Sequence, residues 1–228
     1  MPKTPLRKRF SAATRLFRET WGTDISSARA RRRAWWDFQL MDHAFLRRWW
    51  SNSAEIAPGV WRSNQPSPQR IARYARAGIR SVLNLRGPGR HSHYLFEKEA
   101  CEAAGITLVD RRLYAAELPS RDELLALFQA FDAIEKPFVM HCKSGADRSG
   151  FGAALYLIDT GTPVSEARRQ LHWKHLHFKR DATGILDFFL ESYAAAQAQS
   201  GTSLRDWIAR DYDPEALTRA YRAGRTAR

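Results

Sequence analysis

The chain has 228 residues, 44% of them hydrophobic, and a formal net charge of +13 at pH 7. This length and composition fit one globular domain with extensions. The two cysteines form no disulfide framework, the basic N-terminus is not followed by an apolar signal core, and no apolar run approaches the roughly 20 residues of a membrane span. We therefore expect a protein of the reducing cytoplasm, either soluble or peripheral at the inner membrane surface.

Positive charge is concentrated in residues 1–50, where twelve Lys and Arg stand against four Asp and Glu, a difference of eight. Such a segment favours an anionic partner. No nucleic-acid-binding signature accompanies the charge, so no nucleic acid partner is expected. Residues 1–30 are predicted to form a loose tail with a short helix over residues 12–21.

Aromatic and apolar residues recur near helical spacing from Arg29 to Trp50, with arginines at both ends. Two interpretations of this predicted helix stay open. Its aromatic side chains could enter the headgroup region of an anionic membrane, with the arginines on acidic lipid. In the interpretation that we favour, they pack on the rest of the protein and the arginines face solvent.

Beyond residue 52, short β patterns alternate with helical patterns. Strands are predicted near Val60 and over Ile79–Leu85, Ile106–Leu113 and Pro137–Cys142. Helices are predicted over Pro68–Ala77, Tyr94–Ala104, Arg121–Glu135, residues 163–172 and residues 181–199. This alternation predicts an α/β fold, with a mostly parallel central sheet flanked by helices. We expect a basic, Trp-rich extension over residues 1–52, one domain over residues 53–200, and a peripheral helix or tail over residues 201–228.

The stretch from Val139 to Gly150 reads as a strand, a loop and the start of an apolar helix, with Cys142 at the end of the strand. Backbone N–H groups of such a loop, together with a helix N-terminus, bind phosphate. Gly145 allows an unusual backbone angle, and the planar fork of Arg148 can hold two phosphate oxygens. The predicted phosphate-binding residues are Lys143, Ser144, Gly145, Ala146, Asp147 and Arg148.

A thiol in this position should ionise easily. Its pKa of ~8.5 falls to roughly 3.5–7.5 at a helix N-terminus beside cations. A Cys142 thiolate that faces a bound phosphate is a nucleophile, so the implied chemistry is phosphoryl transfer to sulfur followed by hydrolysis. Cys101, in a helical stretch with no basic loop after it, is interpreted as a buried structural cysteine.

The set His141, Cys142, Gly145, Arg148 and Ser149 resembles the signature of the cysteine-dependent phosphatases, the superfamily of protein tyrosine and dual-specificity phosphatases. A weaker similarity to bacterial dual-specificity-like phosphatases extends from about residue 56 to residue 193. The resemblance implies that Cys142 is the nucleophile, Arg148 binds the phosphoryl group, His141 helps to keep the thiolate, and Ser149 assists breakdown of the phosphocysteine. It also implies that no metal or organic cofactor is needed.

Two further features are interpreted through the same resemblance. Lys143 and Gly145 are similar to those of phosphoinositide phosphatases of the phosphatase-and-tensin type. In the bacterial relatives a strand that ends in Asn-Leu-Arg is common, which implies that Arg86 supports the active-site end of the sheet. The alternative for Arg86 is a surface turn.

The group that protonates the leaving oxygen is harder to assign. The resemblance implies an Asp on the loop before the motif strand, but residues 114–119 contain only Glu117 as a carboxylate. Asp147 precedes Arg148, as in some lipid-phosphate members of the superfamily. We rank Asp147 first, Glu117 second and Asp110 third. The alternative for Asp147 is to cap the helix or to orient Arg148.

The sequence thus predicts a phosphomonoester hydrolase of the protein tyrosine or dual-specificity type. A phosphorylated protein is the expected substrate. A phosphoinositide, another lipid phosphate or a sugar phosphate is the alternative, and a catalytically weak phosphate-binding adaptor is the third hypothesis. A rhodanese-like cysteine loop ranks low, because it lacks the His-Cys and Arg-Ser frame. His172, His175 and His177 form a cluster that we interpret as solvated or core histidines in preference to a metal site.

Overall fold

The apolar run that ends at Cys142 forms the central strand of a five-stranded sheet. The computed structural model describes residues 19–179 and 182–226. The strands are β1 (Ala54–Ala57), β2 (Val60–Asn64), β3 (Ser81–Asn84), β4 (Thr107–Asp110) and β5 (Phe138–Cys142). Their order across the sheet is β1-β2-β5-β3-β4, and every neighbouring pair is parallel except β1 with β2. The predicted α/β class with a mostly parallel sheet is confirmed.

Helices connect and flank these strands, and local sequence signals mark many of their ends. Ser120 and Glu123 form a reciprocal capping box at the start of one helix, and Gly105, at φ 66°, ends another in the left-handed conformation that glycine favours. The helices are α1 (Ala28–Trp36), α2 (Pro68–Arg76), α3 (Ser92–Ala104), α4 (Arg121–Ala133), α5 (Asp147–Asp159), α6 (Val164–Ala167), α7 (Ile185–Ser200), α8 (Leu204–Arg210) and α9 (Pro214–Thr226). None of the helices in the described part of the chain is long and apolar enough to cross a bilayer.

Both faces of the sheet are covered. Val82 and Leu83 are successive residues of β3, so their side chains point to opposite faces. Leu83 belongs to the main hydrophobic core, which α4, α5, α7 and α8 contribute to. Val82 belongs to a smaller cluster with Ile71 of α2, Cys101 of α3 and Ile106. Cys101 is therefore a buried core residue, in agreement with the sequence interpretation.

The expected single helix from Arg29 to Trp50 is wrong. Helix α1 ends at Trp36 and continues into a π-helical turn over Asp37–Met41, followed by a 3₁₀ turn over Leu46–Arg48. The segment turns inward because buried Arg47 binds the buried carboxylate at position 42, which a continuous amphipathic helix would leave in solvent. The predicted helix over residues 12–21 lies outside the described residues except for residues 19–21, which are helical.

Some aromatic side chains of this segment are buried and others are exposed. Phe38 is buried with Ala34 and Phe96 of α3, as expected if the segment packs on the protein. Trp36 and Trp49 remain exposed, as do several other large apolar side chains of the segment. The packing interpretation therefore holds for only part of the segment.

Several predicted elements differ in length or position. The strands predicted over Ile79–Leu85 and Ile106–Leu113 shorten to β3 and β4, because β4 leaves its ladder after Asp110, whose side chain accepts a hydrogen bond from Asn84. The helix predicted over residues 163–172 is only α6 and a 3₁₀ turn, because the carbonyl of Gln170 binds a buried arginine. The antiparallel edge strand β1 was not predicted.

The C-terminal stretch is not peripheral, which corrects the sequence expectation. Leu204, Trp207 and Ile208 of α8 are buried in the main core, and so is Tyr212 in the turn that follows. Their apolar side chains cover the ends of α4 and α5, which a domain ending at residue 200 would leave in water. The division of the chain at residues 52 and 200 stays a prediction.

Three parallel strands bring their carboxyl ends together at one edge of the sheet. Asn64 of β2 is the register partner of Cys142, and Asn84 of β3 is the partner of His141. Ligands of open α/β sheets bind at this edge.

Candidate active site

The loop between β5 and α5 curls beyond the carboxyl end of the central strand. Gly145 lies at its turn with φ 76°. A Cβ atom there would stand 2.9 Å from the backbone nitrogen of Asn64 and 3.0 Å from the side chain of Asn52. Only glycine therefore meets both the backbone angle and the close approach at this position.

Cys142 is 1% exposed and sits at the base of this loop. Burial alone would raise the pKa of its thiol. The charge of Arg148, a 3.1 Å contact with the hydroxyl of Ser149, and the backbone N–H groups of Ser149 and Gly145 outweigh burial and lower that pKa below its ordinary value. The arrangement therefore favours the thiolate more than the surroundings of an ordinary cysteine do.

His141 is buried behind Cys142. Its Nδ1 lies 3.3 Å from the carbonyl oxygen of Cys142, and its Nε2 lies 2.7 Å from Oε1 of Glu97 on α3. Both side chains are almost completely buried. Glu97 thus lies against the imidazole at ion-pair distance, a contact that nothing in the sequence motif indicates.

Arg62 of β2 lies beneath the loop and was missed by the sequence analysis. It is fully buried, and its Nη2 donates to the carbonyls of Gly145 (2.5 Å) and Ala146 (3.1 Å). Its Nη1 donates to the carbonyl (2.6 Å) and the side-chain oxygen (2.9 Å) of Gln170. Burial lowers the pKa of Arg62 to about 10, and the negative charges of Cys142 and Asp147 oppose that fall. Arg62 therefore fixes the direction in which these two loop carbonyls point.

The N-terminal segment also reaches the loop, through Asn52. Its Nδ2 donates to the carbonyls of Ser144 (3.2 Å) and His175 (3.0 Å). Burial and the charge of Arg62 lower the pKa of His175 to about 4, and the Nδ1 of this His lies 3.0 Å from Oδ1 of Asn52. Asn52 therefore joins the phosphate loop to the segment before α7.

Arg86 is tied to the same N-terminal segment. It donates to both carboxylate oxygens of Asp42 (3.1 and 2.7 Å) and to Oε1 of Gln65 (2.7 Å). Arg47 binds the same carboxylate at 2.6 Å, and Nζ of Lys143 lies 4.0 Å from it. Burial would raise the pKa of Asp42, but Arg86, with further help from His93 and Arg47, holds it well below its usual range. Arg86 is thus placed near the loop, and Asp42 is a fixed anion rather than a proton donor.

The three candidate acids have different surroundings. Asp147 is the first residue of α5, inside the loop, and its Oδ1 lies 2.8 Å from Nδ1 of His177. Glu117 is an exposed residue of the loop before α4. Asp110 accepts hydrogen bonds from Asn84 (2.8 Å) and from the hydroxyl of Tyr94 (2.7 Å). Of the three, Asp147 stands beside Arg148, the arginine predicted to bind phosphate.

The three histidines of the predicted cluster have different surroundings. His172 is exposed, His175 contacts Asn52, and His177 is buried between Asp147 and Asp187. Over residues 19–179 and 182–226, no three His, Cys, Asp or Glu side chains are grouped to hold a metal ion.

Part of the chain matches a known protein family. Residues 58–162 match a protein family described as "Polymorphic toxin system, DSP-PTPase phosphatase". The matched region contains β2, the phosphate loop and most of the sheet. The sequence matches none of the curated proteins.

Solved structures share the fold. TpbA of P. aeruginosa is 23% identical with a TM-score of 0.50, over 65% of this chain and 91% of TpbA. A Cys-to-Ser variant of TpbA in complex with phosphotyrosine is 22% identical with a TM-score of 0.50, over 64% and 90% of the two chains. A putative phosphatase of Shewanella putrefaciens is 18% identical with a TM-score of 0.50, over 63% and 93%.

Proposed function

We propose that this chain, which belongs to the cysteine-dependent protein tyrosine and dual-specificity phosphatase superfamily, hydrolyses phosphomonoesters through a phosphocysteine intermediate. The observation that carries the proposal is the lowered thiol pKa of Cys142 at the base of an anion-binding loop. A thiolate, an arginine fork and converging N–H groups are what phosphoryl transfer to sulfur requires.

In the first step the sulfur of Cys142 attacks phosphorus, an S–P bond forms, and the bond from phosphorus to the ester oxygen breaks. Arg148 and the loop N–H groups hold the phosphoryl oxygens. Asp147 gives a proton to the departing oxygen. In the second step water attacks phosphorus and gives a proton to the Asp147 carboxylate, which restores the acid. The S–P bond breaks, and Ser149, 3.1 Å from the sulfur, donates a hydrogen bond to the departing thiolate.

A phosphorylated protein, with phosphotyrosine as its phosphorylated residue, is the proposed substrate class. The support is the family match together with the TpbA variant, which was solved with phosphotyrosine. The adaptor hypothesis is disfavoured, because an adaptor has no need of surroundings that lower the pKa of the Cys142 thiol.

The test is a Cys142→Ser variant assayed on an activated aryl phosphate. Its hydroxyl does not ionise at neutral pH, so turnover should fall to background while the fold is kept. Cys101→Ser is the matched control and should keep turnover, since Cys101 is a core residue of the opposite face. A radiolabelled phosphoryl group should be trapped on the wild-type chain by acid quenching. A turnover rate in the Cys142→Ser variant equal to that of the wild type would refute the covalent mechanism.

A second candidate, a phosphorylated lipid in an anionic membrane, is favoured by a specific observation. Trp49 is 78% exposed and Trp173 is 67% exposed. They lie on the two segments that Asn52 joins to the phosphate loop. Arg48 and Lys174, their exposed neighbours, add positive charge. Exposed indole rings flanked by cations suit the headgroup region of acidic lipids.

A further inference from the structure

A buried histidine connects the phosphate loop to helix α7. His177 is 2% exposed and lies between two carboxylates. Its Nδ1 is 2.8 Å from Oδ1 of Asp147 and its Nε2 is 2.7 Å from Oδ2 of Asp187. Both distances are those of charge-assisted hydrogen bonds.

We propose that His177, held as an imidazolium between Asp147 and Asp187, is a positioning residue that fixes the carboxyl group of Asp147 for proton donation to the leaving oxygen. This inference rests on the proposed function, and it deepens the role of Asp147 in it. It assigns a task to two residues, His177 and Asp187, that lie outside the signature motif and outside the segment matched by the family.

The surroundings keep the imidazole charged. Burial would lower the pKa of His177, but the hydrogen bonds and charges of Asp147 and Asp187 raise it to about 9. Both ring nitrogens therefore carry protons at neutral pH, and they donate to Oδ1 of Asp147 and Oδ2 of Asp187.

Other cationic side chains lie near this site. Arg168 and Lys179 line the same cavity and both bind Glu191 of α7. Arg169 and His172 also line that cavity. On the other side, Arg62 faces Asp147. None of these cations lies between the imidazole and its two carboxylates in the described part of the chain.

This geometry assigns different tasks to the two oxygens of Asp147. The contact with His177 occupies Oδ1, so Oδ2 is the oxygen left to carry the proton. In the reaction the O–H bond at Oδ2 breaks, the ester oxygen gains the proton, and a carboxylate appears beside the imidazolium. The hydrogen bond from Nδ1 to Oδ1 stays in place while that negative charge forms, so the site needs no reorganisation.

The experiment compares two substitutions at one position. In His177→Asn the amide nitrogen takes the place of Nδ1 and can still donate to Asp147. In His177→Gln the amide nitrogen takes the place of Nε2 and can donate only to Asp187. We expect His177→Gln to lose about 100-fold in kcat on alkyl phosphates, which need the acid, with little change on activated aryl phosphates, whose leaving oxygen hardly needs a proton. His177→Asn should stay within about tenfold of the wild type on both substrates.

The control and a second measurement separate positioning from folding. His172→Gln, an exposed histidine of the same cavity, should leave both rates unchanged. An NMR titration of the wild-type imidazole should give a pKa for His177 near 9, which falls in Asp147→Asn. Three outcomes would each overturn the proposal: equal losses in His177→Asn and His177→Gln, equal losses on alkyl and activated aryl phosphates, or a titration of His177 near the ordinary pKa of 6.5. A Cys142→Ser variant that kept its turnover would refute the proposed function and leave the titration result intact.

Discussion

Arg62 offers the sharpest test of how the phosphate loop is held. Replacing it with methionine keeps an unbranched side chain of similar length and removes every donor. Four hydrogen bonds are lost, three of them to the main-chain carbonyls of Gly145, Ala146 and Gln170. A buried polar group left unpaired costs ~1–3 kcal/mol, so three carbonyls cost roughly 3–9 kcal/mol before any compensation.

Part of this cost is offset in the variant, because the charged guanidinium of Arg62 no longer has to be transferred from water into the protein interior. That desolvation costs a few kcal/mol for a buried ion, so we expect a net loss of about 3 kcal/mol in the free energy of unfolding. Domains of this size have ~5–15 kcal/mol of stability, so the variant should still fold. Urea denaturation measures the loss directly.

The same substitution should change the nucleophile. The Cys142 thiolate and Arg62 attract each other, so removing the cation should raise the thiol pKa of Cys142. The rate of alkylation by iodoacetamide as a function of pH reports this shift. Burial and nearby carboxylates raise the pKa of Cys101 to about 12, so it does not contribute to the signal.

The matched control is Arg205→Met, which removes an arginine bound to Asp132 and Asp159 far along the chain from the loop. It should leave the alkylation profile unchanged, with a smaller loss of stability because Arg205 is partly exposed. If Arg62→Met is as stable as the wild type and alkylates with the same pH profile, Arg62 does not hold the loop.

Three further predictions concern the loop, the cofactor requirement and the surface. Gly145→Ala should abolish turnover. Its control is Gly161→Ala, where φ is 96° and the space around the Cβ position is open, so this variant should lose ~1–2 kcal/mol of stability and keep turnover. Similar turnover rates in the two variants would contradict the close approach at Gly145. Turnover should survive a metal chelator, and a loss restored by a divalent ion would refute a reaction carried by the loop and Arg148 alone. The double change Trp49→Ala and Trp173→Ala should weaken binding to vesicles that contain acidic lipid at least about tenfold, with neutral vesicles as the control; unchanged binding removes the membrane candidate.

Features that depend on residues close together in the sequence could be predicted. The strand, loop and helix around Cys142 follow from hydrophobic pattern, and the lowered thiol pKa follows from a cation and N–H groups that lie within seven residues of it. The starts of α2 and α4 follow from Ser67 and Ser120, which cap them. Each of these signals lies within a few positions of the feature that it determines.

The supporting residues could not be predicted, because their partners are distant in the sequence. Arg62 occupies a strand position where an arginine usually faces water, and only the fold shows that it binds the loop 83 residues away. Asp42 and Asn52 lie in a segment whose composition suggests a surface helix. The continuous helix expected there failed because a buried carboxylate with several cationic partners outweighs helical periodicity.

The contacts of Asn52 have a consequence for the order in which the site is completed. This residue bonds to Ser144, 92 positions later, and to His175, 123 positions later. Contacts of such sequence separation form late in folding, because the chain between them must first be ordered. During synthesis Asn52 and the loop around Cys142 therefore emerge before His175, the second partner of Asn52. Nascent chains stopped before residue 175 lack this second contact, so Cys142 in them should alkylate more slowly at neutral pH than Cys142 in the full-length chain.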